Sequence, residues 1–70
     1  MVTVYVQDNC APCKTAKYFL NKKNIEYEEV PIADHKQRIH ENGFVPLSPT
    51  FEFDGKMTQK LQTVMEWQKV

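Results

Sequence analysis

Cysteine is scarce in this 70-residue chain: Cys10 and Cys13 are the only two. Small secreted domains held together by disulfides usually carry about four to eight, so a stapled scaffold is excluded. Net charge is absent as well, because nine basic and nine acidic side chains cancel. A nucleic-acid binder working through bulk electrostatics is therefore not expected. No run approaches the ~20 apolar residues of a membrane span, and the first residues are not a charged segment leading into an apolar one. The expectation is a soluble, cytoplasmic, monomeric protein with neither nucleic-acid nor membrane partners. Repeats, low-complexity tracts and linkers are missing too, and the length leaves room for one domain, residues 1–70. Such a chain buries only about 60% of its unfolded surface, which makes each large apolar side chain count.

What is present divides into short elements. Val2 to Gln7 carries three valines with Thr3 and Tyr5 and reads as a strand. Asp8-Asn9 is a turn, and a helix pattern runs from about Cys10 to Lys23, with Pro12 in its first turn, where a missing N–H costs nothing. Asn24 is its C-terminal cap. Ile25 to Val30 fits a second strand, closed by Pro31. Asp34 with Gln37 three residues on resembles a capping box for a short second helix that stops at Gly43, its apolar stripe marked only by Ile32 and Ile39. Phe44 to Pro49 is a loop. Thr50 to Phe53 is a strand, Asp54-Gly55 a hairpin turn, and Lys56-Met57 a short return strand. Thr58 is expected to cap a last helix whose inner face carries Leu61, Val64, Met65 and Gln68. The order β-α-β-α-β-β-α implies an α/β domain: a mixed four-stranded sheet covered by helices.

The two cysteines stand in C-x-x-C spacing at a strand-to-helix junction. Projected at 3.6 residues per turn, Cys13, Ala16, Phe19 and Leu20 share the core-facing arc, whereas Cys10 falls between Lys14 and Lys17 and should be exposed. As the helix N-cap, the Cys10 sulfur can accept from the Cys13 N–H. Helix N-termini, C-x-x-C motifs and nearby lysines all lower a thiol pKa from about 8.5 into a range of roughly 3.5–7.5. Asp8 acts in the opposite direction but is screened by solvent. The balance favours Cys10 as a nucleophilic thiolate and Cys13 as the resolving thiol. Two other readings stay open. Cys10, Cys13, His35 and His40 spell C-x2-C and H-x4-H, the halves of a zinc-binding interaction module, although 21 residues lie between them, more than the usual 12–15 or so. The thiols could also be incidental to a binding domain.

A strand running into C-x-x-C at a helix start, in this element order, resembles the glutaredoxin branch of the thioredoxin fold, and the size is similar to its small NrdH-type redoxins. The segment Ser48-Pro49-Thr50-Phe51-Glu52-Phe53-Asp54-Gly55 resembles the family's cis-proline, third strand and hairpin. The resemblance implies thiol–disulfide oxidoreductase activity with Cys10 and Cys13 catalytic. Ser48 and Pro49, with Pro12 and Lys14, would shape the groove for an extended substrate peptide. Implied partners are disulfide-bearing proteins, ribonucleotide reductase among the candidates, with thioredoxin reductase or glutathione as reductant. The chain also departs from the pattern. Gln7 stands where glutaredoxins usually have lysine, the motif is C-A-P-C, and Lys56 to Leu61 lacks the Gly-Gly pair and acidic residue that hold glutathione. No cofactor beyond the Cys10–Cys13 disulfide is expected. Glu52, on a strand that should be central, needs a partner; Lys36 or Arg38 on the second helix could supply it.

Overall fold

The computed structural model describes residues 1–68. Its elements are β1 (Val2–Val6), α1 (Ala11–Lys22), β2 (Tyr27–Pro31), a 3-10 turn (Ile32–Asp34), α2 (Lys36–Glu41), β3 (Thr50–Phe53), β4 (Lys56–Thr58) and α3 (Leu61–Trp67). The sheet order is β2-β1-β3-β4: β1 runs parallel to β2 and antiparallel to β3, and β3 pairs antiparallel with β4. The mixed four-stranded sheet expected from the element order is the one observed.

Alternation along the strands divides the core in two. Val2 and Val4 of β1 and Phe51 of β3 point to one face, where Ala16 and Leu20 of α1 and Val64 of α3 cover them. Tyr5 points to the other face and meets Ile32 and Ile39, with Val30, Phe44 and Met57 around them. The second cluster is the smaller. The sparse apolar stripe of α2 limits what that helix can bury, so it needs another tie to the sheet.

Glu52 provides it. The carboxylate lies on the α2 side of β3, where it accepts from the Tyr5 hydroxyl and from Arg38 Nε at 3.0 Å, with Arg38 Nη2 on its second oxygen. The ion pair bridges α2 and the sheet centre. Arg38 holds Glu52 below the ordinary carboxylate range, against the opposing effect of burial. Burial, reinforced by the neighbouring carboxylate, pushes the Tyr5 hydroxyl above its ordinary value.

Helix ends follow local backbone chemistry. At the end of α1, Asn24 takes φ 57°, and the Asn24 and Ile25 N–H groups close back onto the Asn21 and Leu20 carbonyls at 3.1 and 2.9 Å. Gly43 repeats the arrangement after α2 at φ 87°, with Gly43 and Phe44 bonding to His40 and Ile39. Both are Schellman-type closures, in which the left-handed residue follows the cap.

Four expectations are corrected. Phe19 is 38% exposed and stacks edge-on against Tyr18 rather than entering the core, because the sheet meets a narrower arc of α1 than the projection allotted. Asp34 does not cap α2. The chain first makes the 3-10 turn that buries Ile32 beside Ile39, and His35 becomes the N-cap residue without a side-chain bond. Thr58 belongs to β4, and its Oγ1 accepts from the N–H of Lys60, which is the residue that caps α3. The fourth concerns Cys10.

Candidate active site

The site grows from the turn that joins β1 to α1. Asn9 adopts φ 57°, a region that asparagine tolerates better than most side chains, and this swings the chain from the strand into the helix. Cys10 is then the N-cap in extended backbone, its sulfur accepting from the Cys13 N–H at 3.1 Å as expected. The two cysteines are joined as a disulfide with their Cα atoms 5.2 Å apart. Pro12 occupies the second helical position, where no intrahelical donor is lost.

Cys13 faces the core as the projection required, at 2% exposure, but Cys10 is buried as well, at 7%. Its cover comes from a distant part of the chain. The Ser48–Pro49 peptide is cis, and Ser48 Oγ lies 3.4 Å from Cys10 Sγ. The helical projection of α1 contains nothing of that loop and so placed the sulfur in solvent.

One hollow opens directly on the disulfide and a second lies nearby. A cleft of about 550 Å³ opens on the β2 side, lined by Gln7, Asp8, Lys14, Lys17, Glu29 and both cysteines among others. Lys14 is exposed on its rim. Lys17 is already engaged, its Nζ 3.0 Å from Glu29 Oε1, so its charge is shared with a carboxylate. A second groove, lined by neither cysteine, runs between Pro12 and Pro49 over Ala16 and Phe51.

Of the residues singled out in the sequence, Cys10, Cys13, Pro12, Ser48 and Pro49 converge, and Lys14 borders them. The zinc set does not assemble. His35 packs edge-on against the Tyr5 ring with centroids 5.3 Å apart, and among the described residues no three His, Cys, Asp or Glu side chains gather as a metal site. Gln59 escaped the sequence reading. Its Nε2 reaches the Val45 carbonyl at 2.6 Å and Thr50 Oγ1 at 3.1 Å, tying the loop before Pro49 to the start of α3. No spacing or composition signal announces a contact of this kind.

A family model described as Glutaredoxin matches residues 2–70, nearly the whole chain. The chain belongs to the glutaredoxin family. Two solved structures place it in the thioredoxin-like fold. A point mutant of the thioredoxin-like protein BC3987 shares 30% identity with a TM-score of 0.74, covering 97% of this chain and 96% of that one. The unmutated BC3987 protein shares 28% identity at a TM-score of 0.73, with 97% of each chain covered. No curated protein sequence matches. Membership of the glutaredoxins, together with a Cys10–Cys13 pair at disulfide distance, supports thiol–disulfide redox chemistry at this junction. Within the described residues no helix is long and apolar enough to cross a membrane.

Proposed function

We propose that the protein is a dithiol reductant of disulfides in partner proteins, working in the cytoplasm as a monomer. The Cys10 thiolate attacks one sulfur of the partner's disulfide, forming a mixed disulfide and expelling the partner's other sulfur as thiolate. Cys13, as thiolate, then attacks the Cys10 sulfur. The Cys10–Cys13 disulfide closes, the partner leaves with both sulfurs reduced, and two electrons have moved. An external reductant must then reopen the disulfide. Pro12 and Pro49 wall the groove for the partner's chain, the Ser48 backbone pairs with it, and Lys14 borders the cleft.

The observation that carries this reading is the pairing of Cys10 with Cys13 at the N-terminus of α1, under the Ser48–Pro49 loop. A helix N-terminus favours the thiolate on Cys10 through its dipole and free N–H groups. Thioredoxin reductase is the proposed electron source in preference to glutathione, because Gln7 replaces the family's usual lysine and Lys56 to Leu61 carries neither the glycine pair nor the acidic residue that hold glutathione. A reduction potential nearer about −270 mV than roughly −200 to −230 mV fits that choice. Ribonucleotide reductase is a candidate acceptor on the resemblance to NrdH-type redoxins.

A coupled assay tests the proposal: NADPH consumption with a protein disulfide, driven by thioredoxin reductase or by glutathione with its reductase. Turnover with the first and loss of it in Cys10→Ser are expected. Wild-type turnover in Cys10→Ser overturns the mechanism. Cys13→Ser should accumulate a partner as a mixed disulfide on Cys10.

A further inference from the structure

Side chains help to hold the loop that carries Ser48 in place. Gln59 uses its amide nitrogen on both the Val45 carbonyl and Thr50 Oγ1. A carbonyl can only accept, so the nitrogen end of Gln59 must face Val45. Thr50, fully buried, passes its hydroxyl hydrogen to the Leu47 carbonyl at 2.5 Å. Residues on both sides of Ser48 are thereby tied to one polar chain that starts at Gln59.

What the chain holds in position is a hydroxyl. Ser48 Oγ and the Cys13 N–H, at 3.4 and 3.1 Å, are both donors to the Cys10 sulfur. A sulfur in a disulfide is a weak acceptor, and a thiolate is a strong one. The same two donors therefore gain strength when the site is reduced. At 7% exposure Cys10 has little access to water, so its negative charge depends on protein donors. The charged groups that line the cleft beside it are Asp8 in the turn, Lys14 and Lys17 on α1, and Glu29 on β2, with Lys17 and Glu29 paired. No charged residue lines the groove on the Pro49 side. The Ser48 hydroxyl is the polar side-chain group that the loop before Pro49 brings to the sulfur.

We propose that the Ser48 hydroxyl is a catalytic group that stabilises the Cys10 thiolate, and that Gln59, acting through Thr50 and the Val45 carbonyl, is the positioning residue that keeps it there. The proposal rests on the redox reading above and deepens it, because it assigns the Ser48 side chain a role separate from backbone pairing with a partner.

Thiolate ultraviolet absorbance, followed against pH in a Cys13→Ser background, reads the Cys10 pKa with no partner or reductant present. Ser48→Ala should raise that pKa by about one unit, a tenfold loss of thiolate stability. Ser48→Thr, which keeps the hydroxyl, should stay within a few tenths of the parent. Gln59→Ala should shift it the same way as Ser48→Ala but by less. With both cysteines present, the Ser48→Ala protein should be harder to reduce, its potential lower by about 30 mV for a tenfold change. An unchanged pKa in Ser48→Ala, with native circular dichroism, overturns the proposal, as does a Ser48→Thr pKa equal to that of Ser48→Ala. Because the titration needs no acceptor, an active reductase with an unmoved pKa would defeat this assignment alone. Failure of the coupled assay would instead count against the redox reading.

Discussion

Replacing Glu52 by alanine should cost the fold more than the loss of its ion pair with the half-exposed Arg38 implies. The Tyr5 hydroxyl donates to this carboxylate, and Tyr5 is only 3% exposed. Removing the acceptor leaves a covered donor unsatisfied, which costs about 1–3 kcal/mol. The Arg38 contribution is smaller. Its side chain is 54% exposed and returns to water when the pair is broken, so that part is worth about 0–1 kcal/mol. The sum is about 2 kcal/mol, a fall in Tm of roughly 8–16 °C for a domain of this size. Urea unfolding of the oxidised protein measures it. A Tyr5→Phe background removes the stranded donor, and there the same Glu52→Ala change should cost under about 1 kcal/mol. Equal costs in the two backgrounds would refute the reasoning, since the penalty would then not come from the tyrosine hydroxyl. Acid supplies a second check. Arg38 depresses the folded-state pKa of Glu52. Its contribution is therefore fully present above the unfolded value of about 4.3 and is lost as pH falls through the lower folded value. The stability gap between wild type and Glu52→Ala should narrow over that acid window and stay constant from there to neutrality.

Other outcomes follow from packing and backbone geometry. Leu20→Ala, at a fully buried site in the larger core, should cost about 2–5 kcal/mol, whereas Phe19→Ala next to it should cost under about 1 kcal/mol; denaturant midpoints separate the two. Gly43→Ala should destabilise by about 1 kcal/mol through backbone strain alone, because φ is +87° and an added Cβ meets nothing within 4 Å.

Cys10 stands at the N-terminus of α1, and its surroundings come from three separate stretches. The Cys10 turn supplies the cap, β2 supplies Glu29 for Lys17, and the loop ending at Pro49 supplies the cover. Only the first of these is continuous with the motif.

That division explains what could be read from the residues alone. The order of elements was legible because its signals act within a turn of chain: Asp54-Gly55 makes a hairpin, Gly43 and Asn24 accept left-handed backbone, and β-branched runs favour extension. The inward direction of Cys13 and the acceptor role of Cys10 were legible for the same reason, since both are set by helical geometry over three residues. That Lys36 or Arg38 on α2 faces Glu52 follows from topology alone, and the tertiary structure selects Arg38. Tertiary structure decided the rest. The burial of Cys10 depends on Ser48, 38 positions away, and the placement of that loop depends on Gln59 from beyond the hairpin. The outward turn of Phe19 reflects how much of α1 the sheet can cover, and the 3-10 turn displaced an Asp34 cap because burying Ile32 beside Ile39 outweighed it. Local backbone preference determines where elements begin and end, whereas which side chains meet across them depends on how the elements pack, and a motif read in isolation contains none of that.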